Sequence, residues 1–325
     1  MREPLLLIAL AFIAVVPWGG RVVQALLRYG IGKHIRVDGP VSHQGKSGTA
    51  TMGGLYILAA MVVLTLLLAF SGYRQGLLPL VAMVAFGLLG AFDDLQGLKD
   101  AAGVGWLARW KFLWQWVVGL VLALLFYVAG GTHILVWPVS AGTLNLGTWY
   151  LPLATLWLVW ASNAVNLTDG LDGLAAGTAA IASLAFGVVC LLNHQAGLGY
   201  FCFILVGVTL AFLWYNVNPA RMFMGDTGSQ ALGAGLAAVA VLSGQWLLLP
   251  LIGIVYAAVS LSVVLQVSYF KYTRHKYGEG RRILRMAPLH HHFEQIGWPE
   301  VQITLRFWIV AVVAAVLGVA LAGVR

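Results

Sequence analysis

The sequence predicts an all-α polytopic membrane protein with about ten transmembrane helices and both termini on the periplasmic side. Composition and charge distribution support this prediction. The chain is 61% hydrophobic and only 9% charged over 325 residues, whereas a soluble domain carries about 25% charged residues. A helix needs roughly 20 mainly apolar residues to cross a bilayer. We therefore expect residues 1–325 to form one integral membrane domain.

Ten apolar segments account for the predicted helices. They occupy residues 4–22, 53–70, 77–92, 112–129, 148–165, 174–192, 199–215, 230–244, 247–269 and 306–323. Several are short or rich in glycine, which is typical of membrane helices that pack closely through small residues. Both cysteines, Cys190 and Cys202, lie inside apolar segments, so neither a disulfide framework nor a thiolate metal site is indicated.

The basic residues predict the orientation. Ten crossings place the connections 23–52, 93–111, 166–173, 216–229 and 270–305 on one side, and all basic residues except Arg2, Arg74 and Arg325 lie in them or at adjoining helix ends. Lys and Arg beside membrane spans stay cytoplasmic, so this side is predicted to face the cytoplasm. The net charge of +8 reflects this asymmetry, and we expect no nucleic-acid partner.

The acidic residues predict where the chemistry occurs. Every carboxylate except Glu3 also lies on the predicted cytoplasmic side, although the positive-inside rule does not concern acids. A charge near hydrocarbon costs about 2.5–3.5 kcal/mol, so these carboxylates are expected to bind a metal or take part in catalysis. The active site is therefore predicted at the cytoplasmic face. A transporter would instead carry ionisable groups near the bilayer midplane.

Two acids follow one apolar helix directly. Asp93 and Asp94 end the segment FGLLGAFDD, where the helix dipole disfavours anions. They are either solvated acids at the start of a loop, or a base or part of a Mg²⁺ site, since Mg²⁺ takes oxygen ligands and keeps positions for substrate phosphates.

A second polar segment, NAVNLTDGLDGLAAG, joins two apolar helices. It contains Asn163, Asn166, Asp169 and Asp172. Helix capping explains about one of these four side chains. Amides and carboxylates gathered in one pocket suit hydrogen bonding to a nucleobase or ribose.

A third segment, NVNPARMFMGDTGS, precedes the helix that begins near residue 230. Asp226 is either part of an N-cap cluster or a third carboxylate that, with Asp93 and Asp94, could hold a divalent ion. Phe223 either packs in the core or stacks on a planar base, and Asn216 adds an amide.

Two further cytoplasmic segments carry polar groups. The consecutive side chains of His290, His291 and His292 cannot converge on one ion, so they are interpreted as donors to phosphate oxygens near the arginines of segment 281–285. A lipid-headgroup patch is the alternative for those arginines. Lys46 and Thr51 lie in a glycine-rich loop that only loosely resembles a phosphate-binding loop and lacks P-loop spacing.

Five strings in order resemble the phospho-N-acetylmuramoyl-pentapeptide transferase family, within the polyprenyl-phosphate N-acetylhexosamine-1-phosphate transferases. The strings are DGPVSHQGKSGTATMGG, FDD, NAVNLTDGLDGLA, PARMFMGDTGS and MAPLHHHFE. They fall in all five predicted cytoplasmic connections, so the resemblance covers nearly the whole chain. It distinguishes this family from related GlcNAc-1-phosphate transferases through the histidine string.

The resemblance implies an enzyme of the bacterial inner membrane that acts in peptidoglycan biosynthesis. Such an enzyme uses UDP-MurNAc-pentapeptide, undecaprenyl phosphate and Mg²⁺ to make lipid I and UMP, and it often forms a homodimer. The implied catalytic residues are Asp93, Asp94 and Asp226, with Asp226 and Asp94 as metal ligands. The implied substrate-binding residues are Lys46, Thr51, Asn166, Asp169, Gly170, Leu171, Asp172, Asn216, Phe223, His290, His291 and His292.

The chain departs from the family pattern at a few positions. Gly97 stands where the family usually has a lysine after the aspartate pair, and Lys99 is the nearby candidate to replace it. Ala50 replaces a usual proline, and the ninth apolar segment lacks a common glutamate. We expect these changes to affect phosphate binding and rate rather than the type of reaction.

Overall fold

The structure is a computed structural model that describes residues 2–32, 48–99, 105–129, 133–140 and 142–323. It is mostly helical, as predicted. The helices are α1 (Arg2–Val15), α2 (Gly19–Arg28), α3 (Gly54–Phe70), α4 (Leu77–Lys99), α5 (Ala108–Val128), α6 (Tyr150–Thr168), α7 (Leu174–Leu192), α8 (Ala196–Asn216), α9 (Gly225–Leu242), α10 (Leu248–Ile252), α11 (Ile254–Tyr277), α12 (Leu289–Gln295) and α13 (Glu300–Ala320).

Seven helical segments in the described part of the chain are long and apolar enough to cross a membrane, which indicates a multi-pass membrane protein. They are Arg2–Arg28, Arg74–Lys99, Ala108–Val128, Leu174–Leu192, Ala196–Asn216, Ile254–Tyr277 and Glu300–Ala320. The helix α3 is apolar but has only 17 residues. The helices α6 and α9 have 19 and 18 residues but carry several polar side chains. The count of ten crossings and the side of the termini stay predictions.

The helix α9 lies at the centre of the bundle, packed against α3, α4 and α6. Nearly all of its side chains are buried, and small residues let its neighbours approach closely. A Cβ added at Gly54 would lie 2.0 Å from the backbone nitrogen of Gly228, and one added at Gly90 would lie 2.1 Å from the backbone oxygen of Asp226. The backbones of α3 and α4 therefore fix the position of the first turn of α9.

Several helices extend beyond the apolar segments that predicted them. The helix α4 continues to Lys99, so Asp93 and Asp94 lie within its last two turns and not at the start of a loop. The helix α11 continues to Tyr277, well past the predicted end at residue 269. In α4 the added residues include Asp93 and Asp94, which bond to other segments, whereas most of the added residues of α11 are exposed. Both extensions are polar, which is why hydropathy alone did not include them.

A short hairpin, absent from the all-α prediction, joins α5 to α6. The strands β1 (Ile134–Val136) and β2 (Thr143–Asn145) pair antiparallel, with Leu135 opposite Leu144. The backbone nitrogen of Val136 donates to the carbonyl oxygen of Gly244 at 2.9 Å, just beyond the C-terminal end of α9. The hairpin thus closes the end of the bundle opposite the polar cluster described next.

Candidate active site

Four helices bring polar side chains together at the N-terminal end of α9. This helix begins at Gly225, and Asp226 lies in its first turn, where the positive end of the helix dipole favours a carboxylate. Lys111 on α5 forms ion pairs with Asp226 and with Asp93 on α4. The cluster therefore combines parts of the chain more than 100 residues apart.

Lys111 bridges the two carboxylates. Its Nζ donates to Oδ2 of Asp93 at 2.8 Å and also to Oδ2 of Asp226. The three side chains are mostly buried, with 13–25% of their surface exposed. Oδ1 of Asp93 accepts a hydrogen bond of 2.7 Å from the backbone nitrogen of Trp106. The cluster thus places one ammonium between two carboxyl groups.

Amide side chains hold Asp226 from two sides. Nδ2 of Asn166, on α6, donates to Oδ1 of Asp226 at 2.8 Å and lies 2.9 Å from Oγ of Ser229. Nε2 of Gln230, one turn along α9, lies 3.3 Å from Oδ2 of Asp226. The orientation of the Asp226 carboxylate is therefore set before any substrate binds.

This polar network continues into the bundle. Oε1 of Gln230 accepts a 3.0 Å hydrogen bond from Nε2 of Gln115, whose own Oε1 accepts a 2.7 Å bond from Asn163. Gln115 and Gln230 are fully buried. Buried amides of this kind require partners, so the chain of bonds fixes the relative positions of α5, α6 and α9.

Asp94 caps the N-terminus of α9. Its Oδ1 accepts from the backbone nitrogen of Asp226 at 3.0 Å, and its Oδ2 accepts from the backbone nitrogen and the hydroxyl of Thr227 at 2.9 and 2.6 Å. Three donors thus occupy most of the roughly four acceptor positions of the carboxylate. The predicted role of Asp94 as a metal ligand stays a prediction, and the contacts show it fixing the turn that carries Asp226.

Thr51 and Phe223 lie on adjacent segments. The backbone nitrogen of Phe223 donates to the carbonyl oxygen of Ala50 at 2.7 Å, and its own carbonyl oxygen accepts from Gly53 at 2.8 Å. Thr51 is largely buried, and its backbone nitrogen donates to Ile31. The two segments thus meet beside the start of α9. Lys46 lies outside the described residues.

Asp172, in the turn after α6, and Asn216, the last residue of α8, are both buried and hydrogen-bonded. Oδ2 of Asp172 accepts from Asn218 at 3.0 Å and from the backbone of Ala220 at 3.1 Å. Its backbone nitrogen donates to Glu300 at 2.8 Å. Oδ1 of Asn216 accepts from the backbone nitrogen of Gly173, and its Nδ2 donates to the carbonyl oxygen of Met222. These contacts tie the turn after α6 to the loop after α8.

The turn after α6 also receives the histidine segment. A Cβ added at Gly170 would lie 2.3 Å from Nε2 of His290, which is fully buried against this turn. Leu171 packs in the small apolar cluster to which Phe293 of α12 belongs. The backbone nitrogen of Asp169 donates to the carbonyl oxygen of Val165, so it ends α6.

The three histidines have different surroundings. Nδ1 of His291 lies 2.6 Å from Oε2 of Glu294, and Nδ1 of His292 accepts from the backbone nitrogen of Arg285 at 3.2 Å. His290 packs against Gly170. The structure therefore brings the histidine segment to the predicted nucleoside-binding turn. The rings of His290 and His291 are in contact there, with centroids 4.3 Å apart, and the ring of His292 lies beside Phe293.

Lys111 is the functional candidate that sequence reasoning missed, because a cation at a helix start is already explained by the positive-inside rule. One signal was present: Lys111 and Gln115 are four residues apart, as are Asp226 and Gln230. Such pairs share a helix face, so both helices present a charged residue and an amide on one side. Glu300, the partner of Asp172, was also missed.

Comparison of the sequence with known proteins gives the class of protein to which this polar cluster belongs. Residues 77–244 match the family described as Glycosyl transferase family 4. This range contains Asp93, Asp94, Lys111, Asn166 and Asp226. The chain is thus a membrane-spanning member of a transferase family.

Relatives narrow this class. The chain is 47% identical to the phospho-N-acetylmuramoyl-pentapeptide-transferase of Chloroflexus aurantiacus, over 99% of this chain and 90% of that protein. It is 43% identical to the protein of that name from Desulforudis audaxviator, over 95% of both chains. It is 41% identical to that of Listeria welshimeri, over 96% of this chain and 95% of the other. The chain belongs to the phospho-N-acetylmuramoyl-pentapeptide-transferase family.

Proposed function

We propose that this protein transfers phospho-MurNAc-pentapeptide from UDP-MurNAc-pentapeptide to undecaprenyl phosphate, giving lipid I and UMP in peptidoglycan biosynthesis. An oxygen of the lipid phosphate attacks the phosphorus that bears the sugar. The bond between the two phosphates of the donor breaks, UMP leaves, and a new pyrophosphate joins sugar and lipid. The proposal is supported by relatives with 41–47% identity over nearly the whole chain, which are named phospho-N-acetylmuramoyl-pentapeptide-transferase.

The Asp93–Lys111–Asp226 cluster is the observation that carries the proposal within the structure. Phosphoryl transfer depends on positioning and charge neutralisation more than on covalent chemistry. The cluster offers fixed carboxylates and an ammonium within hydrogen-bonding distance of each other. A cluster of these groups suits a reaction in which two anionic phosphates must approach.

We propose that Asp93 and Asp226 would hold a Mg²⁺ ion together with substrate phosphates, since the described residues contain no group of three or more acidic, histidine or cysteine side chains that could bind a metal alone. Carboxylate oxygens of Asp93 and Asp226 converge on one cation, the Lys111 ammonium, and Mg²⁺ in enzymes is usually held by one or two carboxylates together with substrate phosphates. We propose Asp226 as the principal ligand. When bound, Mg²⁺ would neutralise charge on the donor pyrophosphate.

The protein side chains have separate proposed roles. Asp93 orients the lipid phosphate and accepts its proton. Asn166 and Gln230 hold the Asp226 carboxylate, and Lys111 counters the negative charge of the phosphates. Asp94 acts through the turn it caps. A two-step route, in which an aspartate first takes the phosphosugar, is the alternative to direct attack by the lipid phosphate.

We propose that the nucleoside pocket lies around the turn after α6 and the Phe223 segment. Supporting it are the packing of His290 on Gly170 and the pairing of the Phe223 segment with Ala50. The other residues proposed to line it are Lys46, Thr51, Asn166, Asp169, Leu171, Asp172, Asn216, His291 and His292. Asp172 and Asn216 would act by holding the loops.

The membrane arrangement is also a proposal. The helices α3, α6 and α9 join the seven strongly apolar segments to give ten crossings, with both termini periplasmic. The site then lies at the cytoplasmic face of the bacterial inner membrane. We expect the protein to lie in the bilayer as a homodimer.

The donor assignment is tested with purified protein, undecaprenyl phosphate and Mg²⁺. UDP-MurNAc-pentapeptide and UDP-GlcNAc are supplied separately, and UMP release is measured. We expect release with the first donor only. Release with UDP-GlcNAc alone would assign the protein to the related GlcNAc-1-phosphate transferases.

A second experiment separates the two routes. Donor labelled in the sugar is incubated with protein without acceptor, and label attached to the denatured protein is counted. Direct attack leaves none, whereas a two-step route leaves up to one label per chain. An Asp93→Asn variant with full turnover would contradict both routes.

A further inference from the structure

A cavity of about 650 Å³ lies between the C-terminal half of α11 and the segment that follows it. None of the residues that line it belongs to the Asp93–Lys111–Asp226 cluster. Its volume is within the roughly 300–1,000 Å³ of small-molecule sites. The lining residues that matter here are Val263, Val267, Phe270, Lys271, Arg282 and Arg285. We call this cavity the α11 pocket.

The walls of the α11 pocket are fixed by buried polar side chains. Oε1 of Gln266 accepts from the backbone nitrogens of Ile283 and Leu284, both at 3.0 Å, and its Nε2 donates to the carbonyl oxygen of Leu284 at 3.1 Å. Oγ1 of Thr273 accepts from the backbone nitrogen of Arg281 at 2.8 Å. The segment after α11 is therefore held against the helix, and the cavity between them is a formed site.

Three cations surround the pocket. Lys271 and Arg282 are exposed and form no ion pair with a carboxylate in the part of the chain that the structure describes. Arg285 donates from Nη1 to the carbonyl oxygen of Gln295 at 2.8 Å, which leaves other guanidinium donors available. Charged donors of this kind form their strongest hydrogen bonds with carboxylate and phosphate oxygens.

The opposite side of the pocket is apolar and continues onto the outer surface of the helix. Val263 and Phe270 are half-buried in the wall, and Val267 is 44% exposed. Leu261 and Val264, one turn further toward the middle of α11, are 55% and 59% exposed. The helix α11 is apolar enough to span a membrane, and in the proposed membrane arrangement these side chains face the lipid tails. A ligand here meets cations at one end and hydrocarbon at the other.

We propose that the α11 pocket binds an anionic phospholipid of the surrounding leaflet, with its phosphate among Lys271, Arg282 and Arg285 and an acyl chain along Val263 and Val267. The lipid is distinct from the acceptor, whose phosphate must reach Asp93. Anionic lipids are enriched in the cytoplasmic leaflet, the side on which the proposed function places this end of α11. The proposal relies on the proposed function for that orientation only.

The test measures lipid binding without donor or turnover. Purified protein is titrated with phosphatidylglycerol or with phosphatidylcholine of the same acyl chains, and bound lipid is counted by native mass spectrometry. We compare wild type with Lys271→Gln/Arg282→Gln. The matched control is Arg274→Gln/Lys276→Gln, which removes two exposed charges from the same helix outside the pocket.

Removal of the two pocket cations should weaken phosphatidylglycerol binding by about fivefold or more, while the control stays within about twofold of wild type. Phosphatidylcholine binding should be weak throughout. The single variants Lys271→Gln and Arg282→Gln should each show part of the loss. They replace the double variant in the comparison if the double variant unfolds at a lower temperature than wild type.

Three results would overturn the proposal. Equal losses in pocket and control variants would mean a general surface charge effect. Competition by free glycerol phosphate as effective as that of phosphatidylglycerol would mean a soluble phosphate ligand. Weaker binding of undecaprenyl phosphate to the pocket variants, with unchanged phosphatidylglycerol binding, would assign the pocket to the acceptor. Failure of the proposed function would appear as absent UMP release and would leave lipid binding unaffected.

Discussion

Lys111 places one positive charge between two carboxylates that belong to different helices. Two unit charges at ~4 Å interact by about 4 kcal/mol at an effective dielectric of about 20. The Asp93 and Asp226 carboxylates would therefore repel each other strongly without the ammonium. In the proposed reaction the same ammonium also lies where phosphate charge must be countered.

Substitution of Lys111 by glutamine should lower turnover by about 100-fold or more, since loss of one charge-stabilising donor in an active site typically costs that much. UMP release with saturating substrates measures the effect. Arg109→Gln is the control, because Arg109 is an exposed cation on the same helix. Turnover of Lys111→Gln close to that of Arg109→Gln would show that the Lys111 charge has no part in the reaction.

Asp94 gives a second prediction, which separates helix capping from metal binding. In Asp94→Asn an amide nitrogen faces the N–H and O–H donors of residues 226 and 227. We expect the free energy of unfolding to fall by about 1–3 kcal/mol, visible as a lower melting temperature in detergent. The Mg²⁺ concentration for half-maximal turnover should not change. An unchanged melting temperature with a raised Mg²⁺ requirement would instead support a metal ligand.

At the scale of single residues, the sequence predicted part of the site. Asp93, Asp226 and Asn166 were each singled out, and the structure brings them together. Lys111 and Glu300 were missed because a charged residue at the end of a helix is common and does not by itself indicate a functional site. Helix packing decides which side chains meet when they are more than 100 residues apart in the sequence. This packing cannot be read from a single sequence.

The central helices explain why apolar segments were easier to predict than helix boundaries. The helix α9 touches protein on nearly every side, so it does not need an apolar surface and can carry Asp226, Ser229 and Gln230. The helix α4 extends past its apolar part because Asp94 bonds to α9. Hydropathy detects contact with lipid, and these segments contact protein.

The close approach of α4 to α9 makes a prediction for Gly90. A Cβ at Gly90 would lie 2.1 Å from the backbone oxygen of Asp226, so one helix must move. We expect Gly90→Ala to lose about 1–3 kcal/mol of unfolding free energy and most of its turnover, because the first turn of α9 carries Asp226. Thermal unfolding and UMP release measure the two effects.

The control for this substitution is Gly20→Ala on α2. A Cβ there meets only the Tyr215 hydroxyl, at 4.0 Å, and alanine is the better helix former. We expect no loss of stability. If Gly90→Ala were as stable and active as Gly20→Ala, the packing of α4 on α9 would not be what positions Asp226.

At the scale of the whole molecule, the two ends of the bundle carry different features. The polar cluster is at the N-terminal end of α9, and the β1–β2 hairpin is at the other. Glu3, the one carboxylate outside the predicted cytoplasmic set, accepts a 2.6 Å hydrogen bond from the Tyr200 hydroxyl. This partner accounts for an acid away from the site.

The orientation is tested by labelling single cysteines. Arg74→Cys lies on the predicted periplasmic side and Lys276→Cys on the cytoplasmic side, and both positions are exposed. Cys190 and Cys202 are buried, so background labelling should be low. A membrane-impermeant maleimide added to spheroplasts should label Arg74→Cys and should reach Lys276→Cys only after lysis. The reverse pattern would place the Asp93–Lys111–Asp226 cluster at the periplasmic face, where UDP-linked donors made in the cytoplasm could not reach it, and would contradict the proposed function.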